Sequence, residues 1–90
     1  MNTIEHDLQK HCFELKLDGH RCVLDYTLNN KVMTVTHTGV PSELGGRGLA
    51  AEITKFALDH ARAQGWTVIP QCSYVAAYIK KHPEYEAILN

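Results

Sequence analysis

Nowhere in these 90 residues does an apolar run approach the roughly 18 residues that a membrane-spanning helix needs. The polar N-terminus also lacks the pattern of a secretory signal. Charge of one sign is missing too: nine Lys and Arg stand against ten Asp and Glu, and no basic run breaks the balance. Neither nucleic acid nor an anionic membrane is therefore expected as a partner. The three cysteines, Cys12, Cys22 and Cys72, are odd in number and lack CxxC spacing, which suits a reducing cytoplasm better than a disulfide framework. His6, His11, His20, His37, His60 and His82 show no HxxxH or HxH spacing, so no metal site is expected. Without internal repeats or low-complexity segments, the length predicts a single domain over 1–90 with its core in about 11–89.

What the chain does have is glycine, concentrated in one place. Val40-Pro41-Ser42-Glu43-Leu44-Gly45-Gly46-Arg47-Gly48-Leu49-Ala50-Ala51 joins a β-branched run to an amphipathic stretch. The first N–H groups of a helix have no internal partner, and the helix dipole favours negative charge there. A glycine cluster at such an opening suits a phosphate or pyrophosphate. A Walker-type loop is not met, because Leu49-Ala50 follows Gly48 where Lys and Ser or Thr belong. A G-x-G-x-x-G dinucleotide fingerprint is not met either. A plain tight turn that lets the helix pack closely remains the other reading.

The segments around the loop have clear periods. Phe13, Leu15 and Leu17 alternate with Cys12, Glu14 and Lys16, the pattern of a half-buried strand. Asp18-Gly19 is a strong hairpin signal and pairs Leu17 with His20 and Leu15 with Cys22. A second hairpin at Asn29-Asn30 pairs Tyr26 with Met33, Leu24 with Val35 and Cys22 with His37. One face then carries Phe13, Leu15, Leu17, Cys22, Leu24, Tyr26, Leu28, Met33 and Val35, with His37 beside them. Cys12 falls opposite Asp25 on the other face, so it cannot bridge to Cys22.

Beyond the loop, Leu49, Ile53, Phe56, Ala57 and Ala61 recur at helical spacing, and Gly65 ends the helix. Trp66–Ile69 reads as a short buried strand stopped by Pro70, parallel to the strand at 32–37. A second helix starts near Ser73 and ends by His82, because Pro83 disfavours helical geometry before it. A last turn over 84–89 covers the core through Tyr85, Ile88 and Leu89. The predicted class is α/β with a mixed sheet: three antiparallel strands, a βαβ unit and a C-terminal helix.

This order and the loop Gly45-Gly46-Arg47-Gly48-Leu49-Ala50 resemble the GNAT N-acetyltransferase superfamily, whose signature is Gln or Arg, two residues, Gly, one residue, then Gly or Ala. Gly48 and Ala50 match, Gly46 is typical, and Gly45 stands where the Gln or Arg belongs. That exchange removes a side chain and leaves every backbone donor. Ile69-Pro70-Gln71-Cys72-Ser73-Tyr74 and His82-Pro83-Glu84-Tyr85 are similar to a subgroup of very small GNAT-like proteins with a Pro-x-Cys segment. The resemblance covers about residues 11–89 and yields a minimal GNAT fold.

The resemblance implies acetyl-CoA, or CoA, as cofactor, with its pyrophosphate on Gly45, Gly46, Arg47, Gly48, Leu49 and Ala50. Its pantetheine arm is expected in a gap between roughly 35–40, including Val40, and 68–72. The implied activity is transfer of acetyl to an amine, on a small molecule or on a protein lysine or N-terminus. A non-catalytic CoA- or acyl-CoA-binding module acting through protein contacts is the alternative. The chain keeps the acetyl-CoA half and is short of the elements that build an acceptor site. The acceptor is then bound on a shallow open surface, by the second protomer of a homodimer, or not at all.

Cys72 is the first catalytic candidate, since it follows the short strand at a helix N-terminus, where the dipole favours a thiolate. Nucleophile, thiol donor to the leaving group and redox partner of CoA are all open to it, as is a plain buried cysteine. His37 is the candidate base, its alternative a hydrogen-bonded structural histidine. Glu43, as a base, and Tyr74 and Tyr78, as phenol donors, are further candidates, their ordinary readings being a solvated carboxylate and two packing rings with wet hydroxyls.

Overall fold

The chain reverses direction tightly wherever two consecutive residues accept positive φ. Asp18 and Gly19, at φ 51° and 76°, turn strand β2 (Cys12–Leu17) into β3 (His20–Asn29). Asn30 and Lys31, at φ 52° and 65°, turn β3 into β4 (Val32–Gly39). Both pairs have the left-handed geometry that matches the twist of a hairpin. The computed structural model describes residues 2–90. It adds a strand that the periodicity does not reveal, β1 (Ile4–Asp7), which pairs with β2. Asp7 makes that reversal by accepting hydrogen bonds from the N–H groups of Gln9 and Lys10, both at 3.0 Å.

The strands lie in the order β1-β2-β3-β4-β5, antiparallel up to β4. Helix α1 (Leu49–Gln64) then returns the chain so that β5 (Thr67–Pro70) runs parallel to β4. Gly65 ends α1 at φ 74°, and the Trp66 N–H reaches back to Ala61 O at 2.9 Å. Helix α2 (Ser73–Lys81) and a 3₁₀ turn over Pro83–Ile88 complete the chain. The fold is therefore α/β with a mixed sheet, as the pattern predicts.

The register of the first hairpin is the predicted one, with Leu15 opposite Cys22 and Cys12 opposite Asp25. The second differs. Its turn is Asn30-Lys31, so Tyr26 faces Val35 and Leu28 faces Met33. A shift of two residues preserves each face, which is why the predicted buried face survives. A β-bulge then breaks the ladder at Asp25/Tyr26, and beyond it Asp25 faces His37 and Leu24 faces Thr38. The pairing of Cys22 with His37 is thereby corrected. His37 belongs to the outer face and is exposed.

Phe13, Leu15, Cys22, Leu24, Met33 and Val35 form one buried cluster with Leu49, Ile53, Ala57, Leu58 and Ala61 of α1 and Val75 and Ile79 of α2. Both helices thus cover the same side of the sheet. Phe56, expected inside, is 41% exposed and touches Phe13 edge-on, while Leu58 is fully buried. Leu89 is also more exposed than expected: it bridges to Val68 at the sheet edge, where the Asn90 N–H bonds Val68 O at 2.9 Å. Among the described residues, no helix is long and apolar enough to cross a membrane.

An aromatic group ties β1 to this core. The His6 ring stacks on Phe13 at 4.1 Å, meets His60 edge-on at 4.6 Å, and shares a hydrogen bond with the Tyr26 hydroxyl. Burial, then the neighbouring His60 and His11, hold the His6 pKa below its ordinary value. The unfolded chain therefore binds more protons than the folded one near the unfolded pKa of about 6.5. Stability is full above that pH and falls as pH drops through it. Urea midpoints are expected to decline from about pH 7.5 to about pH 5, and His6→Phe should flatten that decline. Equal slopes in the two proteins would exclude His6 as the source.

Candidate active site

Strands β4 and β5 pair only from Val32/Thr67 to Val35/Pro70, and the Cys72 N–H bonds Val35 O at 2.9 Å at the end of the ladder. Past this point β4 continues to Gly39 against β3 alone, while the other chain turns into α2. A wedge opens between them. It starts later than expected on the β5 side, because Val68 and Ile69 are still paired with Met33 and Thr34.

The glycine loop follows directly from the free end of β4. Pro41 O accepts the Leu44 N–H at 2.9 Å, and Ser42 O accepts the Gly45 N–H at 3.0 Å, folding 42–44 into a single 3₁₀ turn. Leu44 is buried and anchors that turn. Gly46 and Gly48 then take φ 80° and 72°, a region that side chains other than Asn and Asp rarely adopt. The ladder of α1 begins with the Glu52 N–H on Gly48 O at 3.1 Å. The N–H groups of Leu49, Ala50 and Ala51 consequently have no partner within the helix.

Space and donor chemistry agree at this loop. A Cβ built on Gly46 or Gly48 meets no atom within 4 Å, so the volume beside both glycines is open. Unpartnered amides bordering open space at the positive end of a 16-residue helix fit a diphosphate. Val40, half-buried, packs against the core at the start of the loop. Arg47 is engaged elsewhere, since its guanidinium pairs with Asp18 at 2.9 Å and ties the loop to the first hairpin. Glu43 is exposed beside the Ser42 hydroxyl.

Cys72 caps α2 with extended backbone angles and is half-buried at the wedge. Its Sγ lies 3.4 Å from Thr38 Oγ1 across the opening. Burial is the largest single influence and pushes the thiol up. The Thr38 hydroxyl and the N–H groups of Val75, Tyr74 and Thr38 together outweigh it, leaving the thiol below its ordinary pKa. Cys12 and Cys22 behave oppositely, as burial pushes both thiols up.

The other candidates are not gathered here. His37 faces away, its Nε2 at 3.0 Å from the place of a Cβ on Gly39 and beside Val23 on the outer face. Tyr78 is buried, with its ring stacked on His82 at 4.0 Å, and Tyr74 is substantially exposed. Thr38 is the residue that sequence reasoning missed. Simple alternation from Val35 sends it outward, and only the bulge brings it in.

A family model described as GCN5-related N-acetyl-transferase matches residues 12–88. Protein NATD1 of Mus musculus is 34% identical over 83 residues, spanning 89% of this chain and 76% of the relative. Protein NATD1 of Xenopus tropicalis is 32% identical over the same shares. The NMR solution structure of a GCN5-like protein from Staphylococcus aureus matches with a TM-score of 0.77 at 25% identity, over 98% of this chain and 87% of that one. Sheet order, parted strands and glycine-opened helix agree with these matches, and the chain belongs to the GCN5-related N-acetyltransferase family.

Proposed function

We propose that the chain binds acetyl-CoA and transfers its acetyl group to an amine. One observation carries this reading: the parallel strands part beside a helix start whose free amides border open space. The amides of Gly46 through Ala51 hold the pyrophosphate, and Gly45 and Val40 bring the loop off the strand. The unpaired edge of β4 over 36–39 offers backbone groups to an extended amide-bearing arm. Acetyl-CoA supplies a thioester, which an amine can attack directly. Cys72 Sγ, at the mouth of the wedge, holds a proton that it can give to a departing thiolate, while the proton that the attacking amine loses passes to water and water returns one to Cys72. With His37 on the outer face, the reading assigns this proton to Cys72.

Calorimetric titration with acetyl-CoA, CoA, ATP and NAD tests the reading. Acetyl-CoA and CoA are expected to bind and the other two to fail. Gly48→Asn should weaken acetyl-CoA binding at least about tenfold with little change in melting temperature, because Asn tolerates the left-handed region. Its Cβ enters open space, with no atom within 4 Å. Unchanged affinity in Gly48→Asn would show that the loop is a turn and no cradle. Binding without release of CoA thiol to any amine would favour the non-catalytic module.

A further inference from the structure

The β-bulge decides which β4 side chain meets Cys72. Met33 and Val35 are buried on the helix side of the sheet. Strict alternation would put residue 37 beside them and residue 38 on the outer face. The bulge at Asp25/Tyr26 reverses this, so Thr38 pairs with Leu24 and His37 pairs with Asp25. Thr38 Oγ1 consequently stands 3.4 Å from Cys72 Sγ, joining the free edge of β4 to the N-cap of α2 across the wedge. A hydroxyl can donate to sulfur or accept from it.

We propose that Thr38 is a positioning residue for Cys72, holding Sγ at the mouth of the wedge and donating to it when the sulfur is charged. This rests on the reading that Cys72 works at that site. The groups acting on the sulfur from the packed elements are the Thr38 hydroxyl and amide on β4 and the Tyr74 and Val75 amides on α2. Three of these four donors are backbone and survive any substitution. The hydroxyl is the part that a side-chain change can remove.

The test needs no acetyl-CoA. Alkylation of Cys72 by iodoacetamide is followed against pH, with the Cys72 peptide read separately from Cys12 and Cys22 by mass spectrometry. Thr38→Val should move the reactivity midpoint up by about one pH unit, since a hydrogen bond to the charged form is lost. Thr38→Ser should return it to the wild-type position. A Thr38→Val profile that overlays the wild type overturns the proposal, as does a Thr38→Ser profile that follows Thr38→Val. If Thr38→Val unfolds, which rapid labelling of the buried Cys12 and Cys22 would reveal, Thr38→Ala carries the same comparison. Because the readout is the free thiol, it can fail while acetyl-CoA binds normally, and it can succeed where the titration shows no binding.

Discussion

Cys72→Ala is expected to slow acetyl transfer by about a hundredfold while acetyl-CoA binds as before. A positioned proton donor typically contributes 10²- to 10⁴-fold, roughly, and the lower end suits a thiol leaving group that needs little assistance. The substitution removes Sγ from a half-buried site and keeps the extended backbone that starts α2. The Cys72 N–H bond to Val35 O, which ends the β4–β5 ladder, is untouched. Initial rates of CoA release, with a saturating amine found by screening, separate the two effects. A full rate in Cys72→Ala would remove the thiol from the chemistry. Lost binding instead would mean that Sγ supports the wedge itself.

The largest loss of stability is expected from Leu58→Ala. Leu58 is fully buried and lies in the cluster shared by α1 and the sheet. Truncating such a leucine costs about 2–5 kcal/mol, part lost transfer energy and part cavity. Domains of this kind have a total stability of about 5–15 kcal/mol. At roughly 4–8 °C per kcal/mol, the melting temperature should fall by about 10–40 °C. Phe56→Ala removes a larger side chain from the same helix, yet its ring is 41% exposed and should be lost at much smaller cost. Thermal unfolding of both variants ranks them. A greater drop for Phe56→Ala would contradict the burial described above.

These two helix positions also show where pattern reading stops. Helical spacing identifies a stripe but leaves both its margins open, and Phe56 and Leu58, about 200° apart around the helix, lie at opposite margins. The first hairpin was legible because Asp18-Gly19 is a rare pairing with one natural geometry. The second was ambiguous, since Asn29-Asn30 and Asn30-Lys31 can both turn, and Lys31 at φ 65° is not a residue that announces such a bend. The bulge was illegible for a deeper reason. It answers to the pairing of two strands, and no local composition at Asp25 or Thr36 marks it. Hence the glycine-rich opening of α1 could be read from its glycines, whereas the facing of His37 and Thr38 could not. β1 escaped notice because a four-residue edge strand has too few alternations to establish a period.

The strand order has a kinetic meaning as well. Each antiparallel strand lies next to its neighbour in sequence, and short reversals join them, so β1 through β4 can assemble with little loop-closure entropy. The union of β4 with β5 is different: it encloses the glycine loop and all of α1, the longest closure within the sheet. On a growing chain the hairpins have emerged before Val68 exists to pair with Met33. The same late step brings Cys72 to Thr38. The wedge is thus the last part of the sheet to be built, and a molecule that fails there keeps its hairpins and loses the contact between Thr38 and Cys72.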